Sequence, residues 1–246
     1  RGMAAPCSTT CTPGIAGSIW VARWHRRGNY CRKAAGSALM AAPDLAVGIV
    51  ESVCRAVHAP VTVKLRLGLD AASITASQLA PTLVEAGAAA LTVHGRTAEQ
   101  RYSGRVDLAG IARVVEAVKP VPVFANGNVT GYASAARTLR ETGAAGLAIG
   151  RAAMRNPWIF KSILAADRGE APAAPTRPER VEFMRTHFRR LVKIRGVLRG
   201  CRQFRKWVSQ YGRPLRLTGP QRARFLRLSE PGELEALADE LLETAG

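Results

Sequence analysis

Four polar groups in this chain have the residue types and the placement to do chemistry. Lys64 stands in the apolar run Val61-Thr62-Val63-Lys64-Leu65-Arg66, where a buried ammonium is costly unless an anion or a strong acceptor meets it. A charge so placed suits the stabilisation of a reduced, anionic flavin ring; snorkelling to a rim is the competing explanation. His94-Gly95-Arg96-Thr97 sets an imidazole and a guanidinium beside a glycine that permits close approach, a set that suits a phosphate, a flavin edge or a substrate base. Ala125-Asn126-Gly127-Asn128 and Gly150-Arg151 offer glycine-exposed N–H groups, and the second adds a guanidinium. Each alone could be a plain tight turn. Following two successive strands in this order, they suit a phosphate.

The elements that must position these groups alternate between short β-branched runs and longer stretches with helical spacing, from Pro43 to about Ala166, the pattern of βαβ units. The runs Val61–Arg66, Leu91–His94, Val121–Ala125 and Gly146–Gly150 each predict a buried parallel strand. Helices are expected at about 44–57, 73–87, 107–118 and 132–142, with Gly87 and Gly143 where a helix end favours positive φ. The repeat length suits a (β/α)₈ barrel, but four strands make only half of one. The fold class expected is therefore α/β, the C-terminal part of a TIM barrel over 31–170, followed by an all-helical bundle. Ala171 to Pro178 is rich in Pro and Ala and reads as a linker before a helical domain at 179–246. There Val181, Met184, Phe188 and Leu191 form a helical stripe, repeated by Phe204, Trp207, Val208 and Tyr211; such spacing favours core packing over base stacking. Residues 1–30 show no period and stay unassigned.

Charge divides the chain further. Of 36 Lys and Arg against 18 Asp and Glu, residues 183–229 hold 14 basic and 0 acidic, whereas 230–246 hold 0 and 6. A segment without acids cannot neutralise itself through i,i+4 pairs, so its field faces solvent or a polyanion. Arg195, Arg199, Arg202, Arg205 and Lys206 are the candidates for phosphate contacts. The five Cys, at 7, 11, 31, 54 and 201, show no C-x-x-C spacing, so neither a metal nor a disulfide framework is expected. No apolar run reaches the roughly 18 to 20 residues of a membrane span, and a soluble, cytoplasmic protein is expected.

Together, Lys33-Ala34-Ala35-Gly36-Ser37-Ala38-Leu39-Met40, Val61 to Gly68, Thr92 to Thr97, Asn126-Gly127-Asn128 and Ile149-Gly150-Arg151-Ala152 resemble the tRNA-dihydrouridine synthases of bacterial type, and Asn156-Pro157-Trp158-Ile159-Phe160 extends the match. The resemblance implies an FMN-bearing barrel and a tRNA-binding helical domain that reduce uridine to dihydrouridine with NADPH. By position, Lys64 resembles the lysine that contacts the flavin ring, and His94 and Arg96 the pair near flavin and substrate. Asn126, Gly127, Asn128, Gly150 and Arg151 resemble the loops around the ribityl phosphate. The family usually has Asp where this chain has Asn128. Its Gly-Cys-Pro motif, whose Cys protonates the base, is not recognisable; a gapless match puts His25 there, and Cys31 is the nearest thiol. The abrupt edge near Cys31 reads as a truncated or shifted reading frame. Two alternatives stand beside a synthase: a catalytically inactive RNA-binding remnant, and an FMN barrel acting on a small molecule, against which the acid-free basic segment argues.

Overall fold

The computed structural model describes residues 19–21 and 36–243. Among these residues five parallel strands form one sheet in chain order: β1 (Ile19–Val21), β2 (Val61–Arg66), β3 (Ala90–His94), β4 (Val123–Asn126) and β5 (Gly146–Ala148). Between the last four run α2 (Ala76–Glu85), α3 (Leu108–Ala117) and α4 (Tyr132–Thr142), with α1 (Pro43–Ala56) before β2 and α5 (Arg151–Arg155) after β5. Each crossover returns the chain to lay the next strand parallel to the last, the βαβ arrangement expected from the alternating pattern.

The period of two sorts the strand residues by face. Val63, Leu65, Leu91, Val93, Val123 and Ala125 pack with Leu79, Leu83, Ile111 and Val114 of the helices in one buried core. The intervening positions, Lys64, Arg66, Thr92, His94, Phe124 and Asn126, therefore share the opposite face. Register then lines up the strand ends: Arg66 pairs with His94, His94 with Asn126, and Asn126 with Ala148. Arg66, His94 and Asn126 thus come from one row across the sheet, with Lys64 two residues before Arg66 on the same face.

Local chemistry explains where the elements differ from expectation. The helix expected from residue 73 begins at Ala76, because the Asp70 carboxylate accepts from the Ala72 and Ser73 amides at 2.9 Å each and holds that stretch in a turn. The strand expected from Val121, β4, starts at Val123, since Pro122 has no N–H to give a ladder. The strand expected over Gly146–Gly150, β5, stops at Ala148, leaving Ile149 and Gly150 outside it. A strand not expected at all, β1, lies in the unassigned first thirty residues and pairs with β2, Ile19 opposite Val61. Three residues are too few for a period to be read.

The chain divides into two compact units between Ala152 and Ala153, earlier than the Pro-rich stretch at 171–178. The Trp158 ring packs on Phe183 with centroids 5.1 Å apart, which ties α6 (Ile159–Asp167) to α7 (Arg177–Arg195). The unit continues with α8 (Val197–Phe204), α9 (Val208–Gly212), α10 (Gly219–Arg227) and α11 (Pro231–Glu243), around a core that includes Val181, Met184, Phe188, Phe204, Phe225 and Leu237. A reciprocal Thr176–Glu179 capping box starts α7. No described helix is long and apolar enough to cross a membrane.

Candidate cofactor site

At the C-terminal ends of β2, β3 and β4, Lys64 donates from Nζ to Asn126 Oδ1 at 2.8 Å, and Asn126 Nδ2 donates to the Ala148 carbonyl at 2.6 Å. Asn126 is the last residue of its strand, so its amide bridges an ammonium on one strand to the backbone of another. Burial, helped by the nearby Arg66, lowers the Lys64 ammonium from 10.5 to about 8.

His94 is 6% exposed and Arg96 1%. The Arg96 guanidinium donates twice to the Gly104 carbonyl, from Nε at 3.2 Å and Nη2 at 2.6 Å, and its Nη1 lies 3.5 Å from His94 Nε2. Arg96 thus braces the loop after β3 rather than projecting from it. Burial and the charges of Arg66, Lys64, Arg96 and Arg151 push His94 down to about 3. Its imidazole is neutral at physiological pH and acts there as a hydrogen-bonding group.

The two glycine loops meet through side chains. Arg151 Nη2 donates to Asn128 Oδ1 at 3.3 Å, and its guanidinium lies 4.8 Å from the centroid of the Tyr102 ring. Asn128 has φ 50°, a left-handed conformation that Asn and Asp adopt more readily than other side chains. Asn at this position therefore meets the loop's backbone preference without bringing a carboxylate to the site. Gly127 has φ 140°, and a Cβ there would meet the Val106 methyls at 2.9 and 3.0 Å. Gly150 has nothing within 4 Å of an added Cβ, so its backbone faces open space.

Two contributors were not singled out in the sequence. Arg66, 7% exposed, donates to the Thr97 carbonyl at 2.6 Å and the Arg101 carbonyl at 2.9 Å, fixing the loop that carries Arg96. Its spacing of two from Lys64 was the available signal, since it puts both on one face of the strand. Tyr102 lies beside His94, Arg66 and Arg151, but its loop has no period to mark it. Cys31 and His25 lie outside the described residues.

Four cations thus cluster here, Lys64, Arg66, Arg96 and Arg151, and among the described residues none is ion-paired with an acid. Burial depresses the first three, and mutual repulsion adds to it. An anion relieves that repulsion, and an FMN phosphate and reduced ring fit the donor set on these grounds. No group of three or more His, Cys, Asp or Glu that could hold a metal ion occurs among the described residues.

The helical unit redistributes the charge read from the sequence. Arg189 pairs with Glu235 at 2.9 Å, Arg185 with Glu235 and Asp239, and Arg224 with Glu240. The acids of α11 therefore neutralise part of the basic segment. Arg205 donates to the Leu228 carbonyl at 2.7 and 2.9 Å and to that of Arg227 at 3.2 Å, so its guanidinium caps the end of α10. Arg195, Arg199, Arg202 and Lys206 are exposed and have no acidic partner among the described residues.

Comparison with known proteins bears on what this arrangement is for. The family model described as dihydrouridine synthase (Dus) matches residues 28–245. A probable tRNA-dihydrouridine synthase of Rhodobacter capsulatus is 39% identical over 203 residues, 82% of this chain and 62% of that protein. The tRNA-dihydrouridine synthase B of Pseudomonas aeruginosa is 40% identical over 202 residues, 81% and 60% of the two chains. For the probable tRNA-dihydrouridine synthase 1 of a Synechocystis strain the identity is 35% over 215 residues, 87% and 60%. The chain spans about 60% of the length of these relatives. With the family match running through both compact units, the chain belongs to the dihydrouridine synthase family.

Proposed function

We propose that this protein binds FMN at the strand ends and acts on tRNA, reducing uridine to 5,6-dihydrouridine with NADPH. The observation that carries the reading is the cluster of Lys64, Arg66, Arg96 and Arg151, cationic and without acids, at the C-terminal ends of parallel strands in a chain of this family. Ligands of parallel α/β folds bind at those ends.

In this reading Lys64, steered by Asn126, sets a positive charge against the electron-rich part of the ring, and Arg151 and the Gly127 and Gly150 backbones hold the phosphate. His94, neutral, offers a hydrogen bond and is not the acid. FMN, when bound, supplies the hydride chemistry. Protonation of the reduced base is assigned to Cys31 or His25; a thiol with an ordinary pKa of about 8.5 is protonated at neutral pH. The exposed cations Arg195, Arg199, Arg202 and Lys206 take tRNA phosphates. A small-molecule substrate would leave those cations without a role.

The test is purified protein titrated with FMN by fluorescence, then incubated with tRNA transcript and NADPH. Flavin binding together with NADPH-dependent dihydrouridine supports the reading; flavin-loaded protein that leaves every uridine intact refutes it.

A further inference from the structure

Within the helical unit a cavity of about 240 Å³ opens beside α7 and α9, and none of its lining residues is a carboxylate. Four aromatic side chains, Trp158, Phe183, Trp207 and Tyr211, contribute to its walls, with His187 and Gln210 among them. Phe204, grouped with Trp207 and Tyr211 in the helical stripe, is fully buried in the core. The stripe therefore serves two ends: Phe204 packs the core, and Trp207 faces the cavity. His187 Nδ1 lies 2.8 Å from the Tyr211 hydroxyl and its ring meets Trp207 edge-on at 4.6 Å. That contact fixes the imidazole, whose Nε2 has no partner among the described residues, and burial keeps it uncharged. Arg155 and Arg180 also line the cavity, and the Arg180 guanidinium lies 5.5 Å from the Trp158 ring centroid.

Each feature narrows the occupant. A volume below the roughly 300 to 1,000 Å³ of sites for drug-sized ligands admits one small ring system. Aromatic walls favour a flat π-system, and Gln210 with His187 supplies both donor and acceptor for its edge. A cationic guest suited to an aromatic cage is repelled by the two arginines. We infer that this cavity is a subsite for an unpaired nucleobase of the bound RNA, stacked on Phe183 and Trp207, with its phosphate toward Arg155 and Arg180. The inference rests on the proposed tRNA binding and adds to the helical unit a base contact that charge alone does not supply.

Phe183 is 39% exposed and lies outside the buried core cluster of the unit, so its replacement costs the Trp158 contact and leaves that core intact; the Tm of each variant is measured beside its affinity. Binding of a tRNA transcript is measured across a salt series for wild type, Phe183→Ala, Phe183→Trp and Gln210→Ala. Loss of one stacked base lowers affinity by about 5- to 150-fold in Phe183→Ala, with the slope against log salt unchanged because no phosphate contact is lost. Phe183→Trp stays within a few-fold of wild type. Wild-type affinity in both Phe183→Ala and Gln210→Ala overturns the base subsite and leaves tRNA binding standing. A weakened Phe183→Ala whose salt slope falls by one or more also overturns it, since the loss is then electrostatic. A wild-type chain that fails to bind tRNA at low salt overturns both.

Discussion

Replacing Lys64 with Met separates what this side chain costs the fold from what it does for a ligand. Its ammonium titrates at about 8 in the folded chain against an ordinary 10.5, so the folded state holds the proton more weakly than the unfolded one by about 3 kcal/mol. That penalty is fully present below pH 8, fades as pH rises toward 10.5, and is gone above it. A Met of similar length removes the charge and leaves Asn126 Oδ1 without its donor, a loss of about 1 kcal/mol. Flavin-free Lys64→Met is then more stable than wild type by about 2 kcal/mol at pH 7, and the advantage vanishes and reverses between pH 8 and 10.5. Urea unfolding of both proteins at pH 7, 8, 9 and 10 gives the difference directly, and other titrating groups cancel in it. With saturating FMN at pH 7 the difference shrinks or inverts, because the anion stabilises the protein that keeps the Lys64 cation more strongly than the one that lacks it. A Met variant that is less stable than wild type at pH 7, or a difference that does not change with pH, would refute the picture of a penalised buried ammonium. Equal FMN affinity in the two proteins would remove Lys64 from the site.

Three further outcomes are expected. Arg151→Ala, losing one charge-assisted contact worth about 1.5 to 3 kcal/mol, lowers FMN affinity by about 10- to 100-fold; unchanged fluorescence titration dissociates Arg151 from the phosphate. Gly127→Ala meets both a positive φ and the Val106 methyls and destabilises by about 1 to 3 kcal/mol, read as a lower Tm together with weaker flavin retention. The double variant Arg199→Ala, Arg202→Ala reduces the salt slope of tRNA binding by about 1 to 2, whereas Arg185→Ala, whose cation is held by Glu235 and Asp239, lowers stability and leaves the slope alone. If Arg185→Ala changes the slope as much as the double variant, the division of the basic residues into paired and free is wrong.

What the sequence determined by itself were the properties that depend on neighbours in the chain. β-branched runs of period two marked β2 and β3 nearly to the residue, and the stripe Val181, Met184, Phe188 marked the buried face of α7, because side-chain direction follows from backbone period alone. The five ordered motifs carried the family on the same footing. The tertiary structure decided whatever depends on partners distant in the chain. Arg66 and Arg96 look alike as isolated cations, yet both are spent on backbone carbonyls of one loop. Arg205 was grouped with Arg199 and Arg202 by charge and spacing, and α10 claimed it as a cap. The basic segment has no acid of its own, but α11 brings Glu235, Asp239 and Glu240 to Arg185, Arg189 and Arg224. Lys64 and Asn126 stand 62 residues apart and share a hydrogen bond only because parallel pairing sets their strands one strand apart in a single sheet. A charge and a period can be read along a chain; whether that charge is buried, paired or free is settled by which remote segment folds against it.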